Sequence, residues 1–114
     1  VIAGGIRFMM SVGTHLPLKS LRGLLRGYKQ GLLVFTSSQC IHCQHQRYIL
    51  DNVKLPDSVK LIEIDVDSDS GLLVEYVVSK VPTTVLIDAD TLQGLSIRVG
   101  VIGRIELNKL MGVK

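Results

Sequence analysis

Hydrophobic positions along the chain alternate between two periods. Leu18, Leu21, Leu25 and Tyr28 fall at helical spacing within Leu16–Gln30, which predicts an amphipathic helix. Lys19, Arg22, Arg26 and Lys29 repeat that spacing one residue later and form an adjacent basic stripe. Pro17 suits the first helical turn, and Gly31 ends the segment. Leu32-Leu33-Val34-Phe35-Thr36 is then an unbroken apolar run, the signature of a strand buried on both faces. A second helix is expected from about Cys40 to Val53, with Ile49, Leu50 and Val53 facing the core. Its first turns (His42, Gln44, His45, Gln46, Arg47) are polar and read as the solvent end.

After Pro56 the pattern switches to period two. Over Val59–Val66, Ile62, Ile64 and Val66 take one face of a strand, and Leu61, Glu63 and Asp65 the other. Asp69 or Ser70 can cap a short helix over Gly71–Val78. Thr83–Ile87 reads as a strand, Asp88–Gly94 as a turn, Leu95–Val101 as a returning strand, and Ile105–Met111 as a closing helix. Ile6–Val12 alternates roughly and is a candidate first strand; residues 1–13 are otherwise a tail. The order β-α-β-α-β-α-β-β-α predicts a single α/β domain over residues 1–114. It has three layers, with a mixed sheet of four to five strands flanked by helices. The alternation implies parallel crossovers through the first three units and a hairpin at the end.

Composition narrows the function. The 114 residues suit one domain, and no apolar run reaches the length of a membrane span. Five aromatic residues and no Trp argue against a stacking platform for nucleic acid. The net charge of +3 conceals polarity: residues 1–50 carry six basic groups and no acid, whereas residues 51–90 carry nine acids and three lysines. The basic stripe on the first helix reads as a solvated face. His15 reads as a loop residue. Asp65-Val66-Asp67-Ser68-Asp69 starts like a calcium loop, but Ser70 stands where Gly is needed and Tyr76 where a bidentate Glu should be.

The sharp chemical signal is Cys40-Ile41-His42-Cys43, placed between a buried strand and a helix. Free N–H groups at a helix N-terminus favour a thiolate at Cys40. Two intervening residues bring the second sulfur within bonding reach of the first. A bridge over so short a loop restrains the unfolded chain by only about 2 kcal/mol, so a purely structural staple is disfavoured. A metal site competes for the same residues. On a helix, however, Cys43 lies about 60° from Cys40, whereas His42 and His45 lie about 200° and 140° away. One ion would need ligands from elsewhere, such as a second chain bridged through the cysteines.

These residues, with Val81-Pro82-Thr83-Thr84 leading into a later strand and Val99-Gly100 ahead of the last helix, resemble the thioredoxin-like family. The resemblance covers nearly the whole chain. It implies a thioredoxin fold and thiol–disulfide exchange with protein or peptide substrates, without a cofactor. Cys40 would be the exposed nucleophile and Cys43 the resolving thiol. Pro82 would be cis against the pair. Val81 would pair with the bound polypeptide by strand addition, with Ile41 and Thr83 completing the contact surface.

Thioredoxins proper carry Trp where this chain has Gln39, Gly-Pro where it has Ile41-His42, a buried acid where it has Val34, and Pro where it has Tyr48. His42 instead resembles protein disulfide isomerases and bacterial disulfide-forming oxidases. A neighbouring imidazole would stabilise the Cys40 thiolate and raise the potential. With no acid at position 34, Glu63 is a candidate proton acceptor for Cys43, weighed against a strand residue facing solvent or pairing with a lysine.

The leading expectation is therefore a thiol–disulfide oxidoreductase, monomeric and served by an unidentified redox partner. A non-catalytic binding module and a metal or cluster carrier are the alternatives. The first residue is Val rather than Met, and Val1–Met10 is a poor signal peptide. Cytoplasm is the expected compartment, where a CxxC pair reads as catalytic; an exported mature chain would carry the same residues.

Overall fold

The computed structural model describes residues 8–10, 18–67, 72 and 75–113. Among these residues the following elements succeed one another: β1 (Phe8–Met10), α1 (Leu18–Leu24), β2 (Gln30–Thr36), α2 (Ile41–Asp51), β3 (Val59–Asp65), β4 (Thr83–Asp88), β5 (Gly94–Val99) and α3 (Arg104–Leu110). The five strands form one sheet in the spatial order β1-β3-β2-β4-β5. β1 and β2 both run parallel to β3, whereas β4 runs antiparallel to β2 and β5 antiparallel to β4. The sheet is mixed, as expected. The connection from β3 to β4, however, is not a parallel crossover.

β2 is central because it is apolar on both faces. Leu33 and Phe35 point into one core with Leu21 of α1, Leu25 just beyond it, Ile62 and Ile64 of β3, and Val85 and Ile87 of β4. Leu32 and Val34 point into the other, with Leu50 of α2, Val59 and Leu61 of β3, and Leu107 and Leu110 of α3. The sheet is thus the middle of three layers. Each buried leucine in these clusters contributes on the order of 1.5–3 kcal/mol.

The first helix is shorter than its periodicity suggests. It ends at Leu24, and the chain turns through Gly27 at φ +89. Tyr28 therefore lies beyond the helix, and Gln30 already belongs to β2. Gly31 packs closely against this layer: a Cβ there would meet Leu25 Cδ2 at 2.8 Å and Ile87 Cγ1 at 3.2 Å, so those side chains would have to shift. Arg22, Arg26 and Lys29 are exposed. Within the expected Gly71–Val78 helix, Leu72 and Glu75 are helical and the Tyr76 N–H donates to the Leu72 carbonyl at 3.0 Å. Gly71, Leu73 and Val74 lie outside the described residues, as do His15, Leu16, Pro17, Asp69, Ser70 and the candidate first strand beyond Phe8–Met10.

Candidate dithiol site

β2 delivers the chain to the edge of the sheet, and the turn at 37–40 redirects it into α2. The Cys40 N–H donates to the Ser37 carbonyl at 3.2 Å, and Ser37 Oγ donates to Asp67 Oδ2 at 2.7 Å. Cys40 is the N-cap of α2, with extended backbone at φ −104, ψ 113. Its sulfur takes the place of the usual cap oxygen: the Cys43 N–H donates to Cys40 Sγ at 3.1 Å. An N–H aimed at sulfur stabilises it when it carries negative charge. Both cysteines are free thiols.

The two thiols differ in environment. Cys40 is partly exposed, whereas Cys43 is fully buried one turn into the helix. Burial pushes the Cys43 thiol up to about 12, and the hydrogen bond with Cys40 adds to the rise. The Ser37 backbone and the positive charge of Arg47 oppose it. The segment before β4 passes against the first sulfur, with Cys40 Sγ donating to the Val81 carbonyl at 3.9 Å. The Val81–Pro82 peptide bond is cis. The Pro82 carbonyl accepts from the Gly100 N–H at 2.8 Å, where Gly100 sits at φ +90.

The fold thus brings Cys40, Cys43, Val81 and Pro82 together. Ile41 (74 % exposed) and His42 lie on the outer surface of α2 beside them. Thr83 does not offer its side chain to a substrate. It is fully buried, and its hydroxyl donates to the Lys80 carbonyl, bracing the turn before β4.

Glu63 does not face solvent. It is 1 % exposed and bonded to Arg47, whose Nε donates to Oε2 at 2.8 Å and whose Nη2 makes a second, shorter contact. Thr36 Oγ1 also donates to Oε2, at 3.1 Å.

The solvent-facing reading of the first turns of α2 fails at Gln46. It is fully buried, and its side-chain amide accepts from the Ile102 N–H at 2.7 Å and donates to the Ile102 carbonyl at 3.0 Å. Cys43, Gln46, Arg47 and Leu50 occupy one helical stripe, a spacing that the sequence displays. Polar residue types masked it. Among the described residues, no group of three or more His, Cys, Asp or Glu side chains gathers as a metal site. No described helix is long and apolar enough to cross a membrane.

A mixed five-stranded sheet that presents a Cys-x-x-Cys pair at a helix N-terminus, opposite a cis-proline turn, defines a chain of the thioredoxin fold. The family model described as TraF, F plasmid transfer operon protein, matches residues 25–110, and the chain belongs to that family. Solved structures of similar fold include thioredoxin Mala s 13 of Malassezia sympodialis. It has a TM-score of 0.75 at 19% identity, covering 98% of this chain and 93% of that one. A mutant thioredoxin from Halobacterium salinarum gives 0.75 at 20% identity, covering 96% and 91%. Mitochondrial thioredoxin 3 of Saccharomyces cerevisiae gives 0.73 at 18%, covering 93% and 94%. No curated protein matches the chain.

Proposed function

We propose that the chain is a thiol–disulfide oxidoreductase acting on protein or peptide disulfides through Cys40 and Cys43. One observation carries the reading: a partly exposed thiol caps a helix, receives an N–H on its sulfur, and has a second, buried thiol one turn away. In the reducing direction, Cys40 attacks one sulfur of the substrate disulfide, and the other substrate sulfur leaves and takes a proton. Cys43 then loses its proton and attacks Cys40 Sγ. The second substrate thiol is released, and the Cys40–Cys43 disulfide remains. Two electrons pass from the pair to the substrate, and the oxidising direction reverses each step.

The asymmetry of the pair supports this order. Cys40 is the sulfur that a bulky substrate can reach. Cys43 is enclosed and held protonated by burial, so it stays unreactive until a mixed disulfide forms beside it. Val81 is the edge against which a substrate backbone would lie as an added strand, and exposed Ile41 would supply an apolar contact.

Reduction of insulin driven by dithiothreitol tests the reading. The parent should accelerate precipitation of the insulin chains. Cys40→Ser should fall to the uncatalysed rate, and Cys43→Ser should accumulate a mixed disulfide. A parent no faster than Cys40→Ser would leave the binding-module reading in its place. Stoichiometric metal after anaerobic purification would favour the carrier.

A further inference from the structure

The resolving thiol sits in a charged surrounding that the exchange reading leaves unused. Arg47 follows Cys43 by four residues on α2, so the two side chains share one face, with Cβ atoms about 5–6 Å apart. The Arg47 guanidinium is not loose in solvent. It is bound through Nε and Nη2 to Glu63, a carboxylate buried in β3 and also bonded by Thr36 of β2. In the sheet Glu63 stands directly beside Val34. A charged pair therefore lies under the CxxC helix and is anchored to two central strands.

We propose that Arg47, clamped by Glu63, is a positioning residue for Cys43, supplying the fixed positive charge that favours its thiolate during resolution of the mixed disulfide. Among the described residues, the charged and titratable groups acting on Cys43 are Cys40, from the start of the helix, and Arg47. Those acting on Arg47 include Glu63 across the layer, Cys43, and Asp51 one turn further along α2. Cys40 and burial oppose ionisation of Cys43, and Arg47 is the charge that favours it. Hydrogen bonding to Glu63 holds the guanidinium charged, so the field does not vary over the working pH range. In this arrangement Glu63 serves as the anchor, and the Cys43 proton passes to solvent base.

The inference rests on the exchange reading, and one experiment separates the two. The reduced protein is mixed with dithiobis-nitrobenzoate in a stopped-flow instrument. Cys40 attacks the reagent disulfide and expels one thionitrobenzoate. Cys43, deprotonated, then attacks Cys40 and expels the second. Two thiols lose two electrons and the reagent gains two, so absorbance rises in two phases. The first phase reports Cys40 and the second reports Cys43.

Arg47→Gln should slow the second phase about tenfold or more below the Cys43 titration, since a nearby opposite charge is worth about one pH unit or more. The first phase should stay as in the parent. Arg47→Lys should restore most of the second-phase rate, because it keeps the charge while losing the forked geometry. Glu63→Gln retains an acceptor oxygen for Arg47 and should slow the second phase less than Arg47→Gln does. If Arg47→Gln fails to fold with Glu63 left buried, the double variant Arg47→Gln/Glu63→Gln removes both charges together and should still be slow.

An unchanged second phase in folded Arg47→Gln, or in that double variant, overturns the proposal. So does a Glu63→Gln defect larger than that of Arg47→Gln, which would make Glu63 the proton acceptor. Absence of the first phase in the parent overturns the exchange reading itself, and this inference with it.

Discussion

His42 is the residue whose role depends most on its neighbours. It is exposed on the first turn of α2, between the surface contact Ile41 and the buried Cys43. We propose that its imidazole donates to the Cys40 thiolate and so stabilises the reduced pair; about 1.4 kcal/mol of such stabilisation is worth about 30 mV. His42→Pro removes the donor, and proline is tolerated in the first helical turn. The variant should equilibrate with glutathione at a potential about 30 mV or more below the parent. Equal potentials would reduce His42 to a solvated surface residue.

Cys40 and Cys43 were legible from their spacing between a buried strand and a helix, and Val81 and Pro82 only through the family resemblance that Val81-Pro82-Thr83-Thr84 carries. Glu63 was not, because period-two alternation assigns it a face of the strand without showing what covers that face. Its partner Arg47 is 16 residues distant and sits on a different layer.

At the scale of elements, α2 does two jobs with one helix. Its N-terminus carries the thiol pair, and its buried stripe fastens the segment before α3. Gln46 provides that fastening by bonding both backbone groups of Ile102, 56 residues away, much as an adjoining strand would. Gln46→Ala would leave a buried N–H and a buried carbonyl unpaired, at about 1–3 kcal/mol each. Urea unfolding should therefore show a loss of about 2 kcal/mol or more. A loss below about 0.5 kcal/mol would mean that the segment finds other partners.

Buried strands announced themselves by apolar runs, and β2 to β5 lie close to where the pattern placed them. The end of α1 was hidden because Tyr28 keeps helical phase, while Gly27 at φ +89 turns the backbone away. The direction of β4 was hidden for a different reason. Apolar periodicity is the same in both directions, and only the path of the connection from β3 decides it.

The molecule as a whole separates framework from chemistry. Two apolar cores, one on each face of the sheet, hold the layers together without any contribution from a disulfide. The cysteines lie at the edge of this framework, at the start of α2. The cis-proline turn reaches the same edge from β4 and is braced by Gly100 and Thr83.

The central proposal is that the Cys40–Cys43 pair is a reversible two-electron couple and not a staple. Its most direct test is equilibration of the purified protein with glutathione redox buffers, followed by alkylation and mass measurement of the dithiol and disulfide forms. The expected result is one two-electron transition to an intramolecular disulfide, with a potential of about −270 to −120 mV, the span of thiol–disulfide oxidoreductases. A potential below about −300 mV, the range of structural disulfides, or no intramolecular disulfide at any buffer ratio, would contradict it.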